Sequence, residues 1–188
     1  MIASALSRWS RLVARTMAEA AHKTPSRRRW SLRDWSVRHA SGLEWFYERF
    51  ASVLLLLHPL WKALGYHRVE KPARFVERQV KGVLFDCRMC GQCILSSTGM
   101  SCPMTCPKQL RNGPCGGVRA NGHCEVEPDM ACVWVKAWEG AQTMHGGDAI
   151  NVVQKPVDRT LEGNSAWLRV TAQAAQQREG TQIKGPAA

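Results

Sequence analysis

The chain has 188 residues, of which 45% are hydrophobic and 22% are charged, a balance typical of about one folded domain and not of a disordered chain. Its formal net charge of +11 is uneven, because residues 1–85 hold 16 Lys and Arg against 6 Asp and Glu, whereas residues 86–188 hold 10 against 9. The basic half predicts either an acidic partner or a solvated basic face, and no apolar run approaches the roughly 20 residues that span a bilayer.

Residues 1–29 are predicted to form a basic amphipathic helix followed by a linker. Ile2, Leu6, Trp9 and Val13 recur at helical spacing with arginines between them. Such a helix could lie on a membrane surface, on another protein or on its own core. The composition also resembles that of a mitochondrial transit peptide, but the apolar core of about 7–15 residues that marks a secretory signal is missing. We therefore expect the eight cysteines to be reduced thiols in the cytoplasm and not a disulfide framework.

Residues 30–81 are predicted to be a helical N-terminal region. Apolar positions recur at helical spacing from Leu43 until Pro59, which lacks a backbone donor and can begin a short turn that Gly65 closes. A second helix is predicted over residues 72–81. The residues expected to point inward from it are Phe75, Val76 and Val80.

Residues 82–140 change character, because Cys, Gly and Pro become dense and disfavour regular structure. The exception is a helix predicted from Pro128 to Glu139, which carries Trp134 and Trp138. The expected fold class is mainly α, with an irregular Cys-rich metal or iron–sulfur domain and few or no strands.

Residues 141–172 are predicted to be a docking extension and residues 173–188 a disordered tail. Aromatic residues are enriched at interfaces. The predicted docking surfaces are therefore the helix with Trp134 and Trp138 and the extended segment near Val152 and Val153, although either could instead cover the metal core.

All eight cysteines fall in the irregular segment, at the intervals C-x2-C-x2-C-x8-C-x3-C-x8-C-x8-C-x7-C. Thiolates at CxxC spacing bind tetrahedral zinc and also [4Fe–4S] clusters. The first three, each separated by two residues, favour a cluster, because ferredoxins use the same run. The predicted metal and cofactor ligands are Cys87, Cys90, Cys93, Cys102, Cys106, Cys115, Cys124 and Cys132.

The spacing leaves the partition of these ligands open. The next cysteine follows the triple after eight residues, where the ferredoxin run has three, so the fourth ligand of the first group is not identified. Two clusters, or one cluster and a four-thiolate zinc site, both use eight thiolates. Nearby cations are expected either to raise the reduction potential or only to offset thiolate charge. They are Arg88, Lys108, Arg111 and Arg119.

Motifs of catalysis are absent from the sequence. It contains no GxGxxG, GxxxxGK[ST], GxSxG or HExxH, and its carboxylates form no arrangement that suggests acid–base work. We therefore predict no catalytic residue.

The segment from Cys87 to Gly140, and above all the block GMSCPMTCPKQLRNGPCGG, resembles the methylenetetrahydrofolate reductase C-terminal-domain family, over residues 66–170. The resemblance implies a small subunit that holds iron–sulfur clusters of the [4Fe–4S] type, with zinc as a further candidate. It implies a partner, the flavin-containing methylenetetrahydrofolate reductase barrel subunit, and places the flavin there. It also implies that the eight cysteines are ligand positions and that this chain does not itself act on folate.

Two functions from different classes follow. The first is an accessory subunit that relays electrons to or from the partner's flavin in one-carbon metabolism. The alternative is a non-redox, zinc-stabilised scaffold subunit that docks on an acidic partner. No nucleic-acid partner is expected, because the excess positive charge precedes the cysteines, and peripheral membrane contact through the N-terminal helix is a further expectation.

Overall fold

The computed structural model describes the backbone of residues 27–183 and the side chains of residues 32–178. Residues 1–26, which include the predicted amphipathic helix and its membrane contact, lie outside this described part. The helices of the described part are α1 (Arg27–Arg38), α2 (Ala40–Leu56), α3 (His58–Leu64), α4 (Tyr66–Phe85), α5 (Val133–Ala141) and α6 (Ala166–Ile183). Short 3-10 turns span Leu95–Ser97, Pro103–Thr105, Gly147–Asn151 and Arg159–Leu161.

The prediction of a mainly helical fold with an irregular Cys-rich segment and few or no strands is confirmed. Residues 27–183 contain no β-strand, and an isolated antiparallel bridge joins His123 to Ala131. Within the same residues, no helix combines the length and apolarity needed to cross a membrane.

The start of α1 and both ends of α4 differ from the predictions. Arg27 to Arg29 begin α1 and do not belong to a linker, and Pro72 lies inside α4, not at its start. The prediction for Pro59 and Gly65 is confirmed, since Pro59 lies in the first turn of α3 and Gly65 follows its last residue with φ 84°. Helix α4 runs past both Pro72 and Gly82 because its packing against α1, α3 and α6 outweighs the local cost of these residues.

The face that α4 buries is the opposite of the predicted one. Phe75, Val76 and Val80 are 65%, 51% and 42% exposed, whereas Glu77 and Lys81 are 1% and 3% exposed. The prediction was wrong because apolar periodicity assumes an apolar core. Here the inner face of α4 meets the cysteine-rich segment and α6, and it is charged.

Two further predictions for the C-terminal half were wrong. Helix α5 begins at Val133, after a turn, and not at Pro128. Helix α6 continues from Ala166 to Ile183, through residues predicted to be disordered. Ala, Gln and Arg all favour helix, and two glutamates of α4 anchor its first turn, which begins beside Ser165.

The main core joins the helical half to the cysteine-rich half. Ala40 of α2 and Phe85 of α4 pack in one buried cluster with Leu95, Cys102 and Met104. Helix α1 packs on α4 and α5, and α6 packs on α2 and α4. The cysteine-rich segment is therefore held against the helices by shared apolar burial.

Candidate metal centre

The first three cysteines lie on a loop that begins at the end of α4. Asp86 takes a left-handed conformation with φ 49°, one that Asp tolerates better than most residues, and this turns the chain out of the helix. The backbone N–H of Cys87 donates to the Lys81 carbonyl at 3.2 Å. We call residues 87–93 the CxxCxxC loop.

The chain that precedes and begins α6 closes over the CxxCxxC loop. The N–H of Gly163 donates to the Met89 carbonyl at 2.7 Å, and Nε of Arg169 donates to the Gly91 carbonyl at 2.7 Å. Gly91 has φ +69°, and a Cβ there would collide with the backbone of Leu161, so only glycine allows this approach. The loop is thus fixed by contacts from residues more than 70 positions away in sequence.

Four cysteines line one cavity, namely Cys87, Cys90, Cys93 and Cys102. Cys102 is the candidate fourth ligand, which the cysteine spacing alone did not identify, and its side chain is buried. Burial, with a contribution from the neighbouring thiols, raises the pKa of Cys102 to about 12. Burial likewise raises the pKa of Cys87 to about 11. A thiol with a raised pKa must lose its proton to bind a cation, so binding would release protons.

Two buried cations line the same cavity. The guanidinium of Arg111 lies 4.0 Å from Cys90 Sγ and donates to the Gln92 carbonyl at 3.2 Å. Its Nε is buried and has no hydrogen-bond partner among the described residues. Lys81 is paired with Glu77. Burial lowers the pKa of Lys81, but the negative charges of Cys93 and Glu77 outweigh burial and hold that pKa above its ordinary value.

This chemistry fits an anionic, thiolate-bound group. Four thiols are the donor set of a [4Fe–4S] cluster. The unpaired Nε of Arg111 is a buried donor, and a negatively charged group in the cavity would satisfy it. The cavity therefore has both the ligands and the compensating charge that such a group requires.

Of the four cations named from the sequence, only Arg111 lines this cavity among the described residues. Arg88 pairs with Asp86 at 3.2 Å, Lys108 pairs with Glu125, and the side chain of Arg119 is exposed. The sequence interpretation did not single out Lys81, Glu77 or Arg169. An i,i+4 Glu–Lys pair signals a helical ion pair, but nothing in the sequence shows that this pair is buried.

The other four cysteines do not line this cavity, although Cys106 lines a neighbouring one together with Cys90. The four are Cys106, Cys115, Cys124 and Cys132. Cys106 packs against Cys124 in a small core that includes Met130. Cys132 packs with Trp134 in a neighbouring core, and Cys115 Sγ lies 3.6 Å from a carboxylate oxygen of Glu125.

The bridge between His123 and Ala131 relates two of these cysteines. On either side of it, the Cys124 N–H donates to the Met130 carbonyl at 2.8 Å and the Cys132 N–H donates to the Gly122 carbonyl at 2.9 Å. The ring Nδ1 of His123 is 2.7 Å from the Pro128 carbonyl.

Among the described residues, no three His, Cys, Asp or Glu side chains are positioned to hold a single metal ion. A zinc ion requires each sulfur at about 2.3 Å from one point.

The sequence profile of the family described as "Methylene-tetrahydrofolate reductase C terminal" matches residues 66–160. The chain belongs to this family. The match confirms the resemblance noted from the sequence, and no curated protein and no solved structure matches the chain. The methylene-tetrahydrofolate reductase C-terminal match begins with α4 and includes all eight cysteines. Helix α6 lies beyond it, although Arg169 of α6 holds the CxxCxxC loop.

Proposed function

We propose that the chain is an accessory electron-transfer subunit of a methylene-tetrahydrofolate reductase-type complex in one-carbon metabolism. The observation that carries the proposal is the set of four thiols and two buried cations around one cavity, in a chain of this family. A [4Fe–4S] cluster held there would supply one-electron chemistry, which a flavin on the partner can collect in pairs for hydride transfer.

Each residue around the cavity has a distinct role in this proposal. Cys87, Cys90, Cys93 and Cys102 hold the group, and Arg111 donates toward it from beside Cys90. The remaining four cysteines hold a second group, either another cluster or zinc. No residue of the chain is assigned a catalytic role, because folate chemistry belongs to the partner.

The proposed partner is the flavin-containing barrel subunit. Trp138, Val152 and Val153 are 53%, 61% and 82% exposed and are the candidate docking residues. Trp134 is 6% exposed, donates to the Leu110 carbonyl and packs with Cys132 in a buried core, so it is not a docking residue. Eight free thiols fit a reducing compartment, and we retain the cytoplasm as the proposed location.

The test is electron transfer to a flavin-containing methylene-tetrahydrofolate reductase subunit. The full chain is reconstituted without oxygen with iron and sulfide, reduced, and mixed with the oxidised flavoprotein in a stopped-flow spectrometer. We expect flavin absorbance to fall with the same rate constant as the chain is reoxidised. Cys102→Ala and the zinc-loaded chain serve as comparisons, and both should lose this reaction.

Two results would overturn the proposal. One is a wild-type chain that retains zinc but no iron and sulfide, which would favour the scaffold alternative. The other is flavin reduction by Cys102→Ala at the wild-type rate.

A further inference from the structure

Glu77 and Lys81 form a buried ion pair one turn apart on the inner face of α4. They are 1% and 3% exposed, and Lys81 Nζ lies 2.6 Å from Glu77 Oε1. Both residues line the cavity that the first four cysteines surround. Desolvating two charges is costly, and a buried pair commonly stabilises a fold no better than apolar residues would. The position of the pair beside the thiols points to a role other than stability.

Ser165 and the first turn of α6 contact both members of the pair. Ser165 Oγ donates to Glu77 Oε2 at 2.6 Å, and the Trp167 N–H donates to the same oxygen at 3.3 Å. Lys81 Nζ lies 5.1 Å from the centroid of the Trp167 ring. Both carboxylate oxygens of Glu77 therefore have partners within the protein. The ammonium of Lys81 contacts Glu77 Oε1 and faces the ring of Trp167.

The electrostatic influence of Lys81 extends to the thiols. Lys81 lines the same cavity as Cys93 and the other three thiols, so its ammonium stabilises negative charge on a thiolate-bound group held there. Since water is excluded from the pair, these charges act through a lower effective dielectric than surface charges do. A positive charge at this place favours addition of an electron to the bound group, and a negative charge opposes it.

We propose that Lys81 and Glu77 are positioning residues that set the reduction potential of the group held by Cys87, Cys90, Cys93 and Cys102. Lys81 raises the potential and Glu77 lowers it, and α6 holds both charges at fixed places. This inference rests on the proposed electron-transfer function and extends it to a residue pair that contributes no ligand.

The experiment measures midpoint potentials of the full chain, reconstituted without oxygen, by a redox titration followed by electron paramagnetic resonance. The transition of the first group is identified as the one that Cys102→Ala lacks. We expect Lys81→Gln to lower its midpoint and Glu77→Gln to raise it. Lys81→Arg should leave it near the wild-type value. Lys136→Gln is the matched control, because Lys136 pairs with Glu139 at 2.8 Å on α5, away from the cavity.

Opposite shifts distinguish an electrostatic role from a structural one, since a general loosening of the site would move both variants in the same direction. Shifts of the same sign, or no shift in either variant, overturn the inference and leave the proposed function standing. If Lys81→Gln fails to fold, Glu77→Gln decides alone, and an unchanged or lower midpoint in it overturns the inference. A wild-type chain with no redox transition overturns both proposals.

Discussion

Trp134 and Trp138 lie four residues apart on α5, and replacing each by Ala should have very different effects on stability. Trp134 is 6% exposed, packs with Cys132 and Ala137, and donates from Nε1 to the Leu110 carbonyl at 3.1 Å. Truncating a buried Trp to Ala costs about 3–5 kcal/mol, and a carbonyl left without its donor adds about 1 kcal/mol. A loss of about 4–6 kcal/mol is a large part of the roughly 5–15 kcal/mol that stabilises a typical domain.

Trp138 is 53% exposed, so its removal should cost about 1 kcal/mol or less. It should instead weaken association with the flavoprotein, because an exposed aromatic residue is a common anchor of an interface. Urea unfolding of the metal-loaded proteins, followed by far-UV circular dichroism without oxygen, measures the first effect. Isothermal titration calorimetry with the flavoprotein measures the second.

Equal destabilisation by the two substitutions would refute this reasoning, as would a Trp134→Ala protein with the wild-type unfolding midpoint. Unchanged affinity of Trp138→Ala for the flavoprotein would remove Trp138 from the proposed docking surface and would not affect its role in the fold.

Three further results are expected. Gly91→Ala should lower the melting temperature by several degrees and reduce metal loading, because Gly91 has φ +69° and a Cβ there would meet the backbone of Leu161. Gly116→Ala is the control and should match the wild type, because nothing lies within 4 Å of the new Cβ. Truncation after Asn164 removes all of α6 and should abolish metal loading, measured as iron per chain. Truncation after Arg178 should leave metal loading intact. Equal iron in the two truncated chains would show that α6 is not needed for metal loading. Removing the bound group with a chelator should speed hydrogen exchange in the cysteine-rich segment far more than in α2, and uniform acceleration over both would contradict the proposed site.

The composition and cysteine spacing were sufficient to predict the fold class and the family. Dense Cys, Gly and Pro leave few alternatives to an irregular segment, and the turn between Pro59 and Gly65 follows from backbone chemistry that acts locally. These features depend on short stretches of chain, and sequence reasoning handles such stretches well.

The inner face of α4 could not be predicted in the same way. Apolar periodicity pointed to Phe75, Val76 and Val80, but the helix buries Glu77 and Lys81. Whether a charged pair is buried depends on what packs against it, and here that is Ser165 and its neighbours, nearly ninety residues later in the chain.

The place of Cys102 beside the CxxCxxC loop depends on distant packing as well. Its spacing from Cys93 departs from the ferredoxin run, and the shared core between α4 and the cysteine-rich segment brings the two together. The helix through residues 173–183 is a similar case, because the anchoring of its first turn by α4 is not visible in its own composition.

The most direct test of the central claim is the content of iron, acid-labile sulfide and zinc per chain, on protein purified without oxygen. We expect iron and sulfide in matching amounts, and we expect Cys102→Ala to lose the share held by the first four cysteines and to keep the rest. Zinc without sulfide in the wild type would contradict the claim and would make this chain a structural subunit.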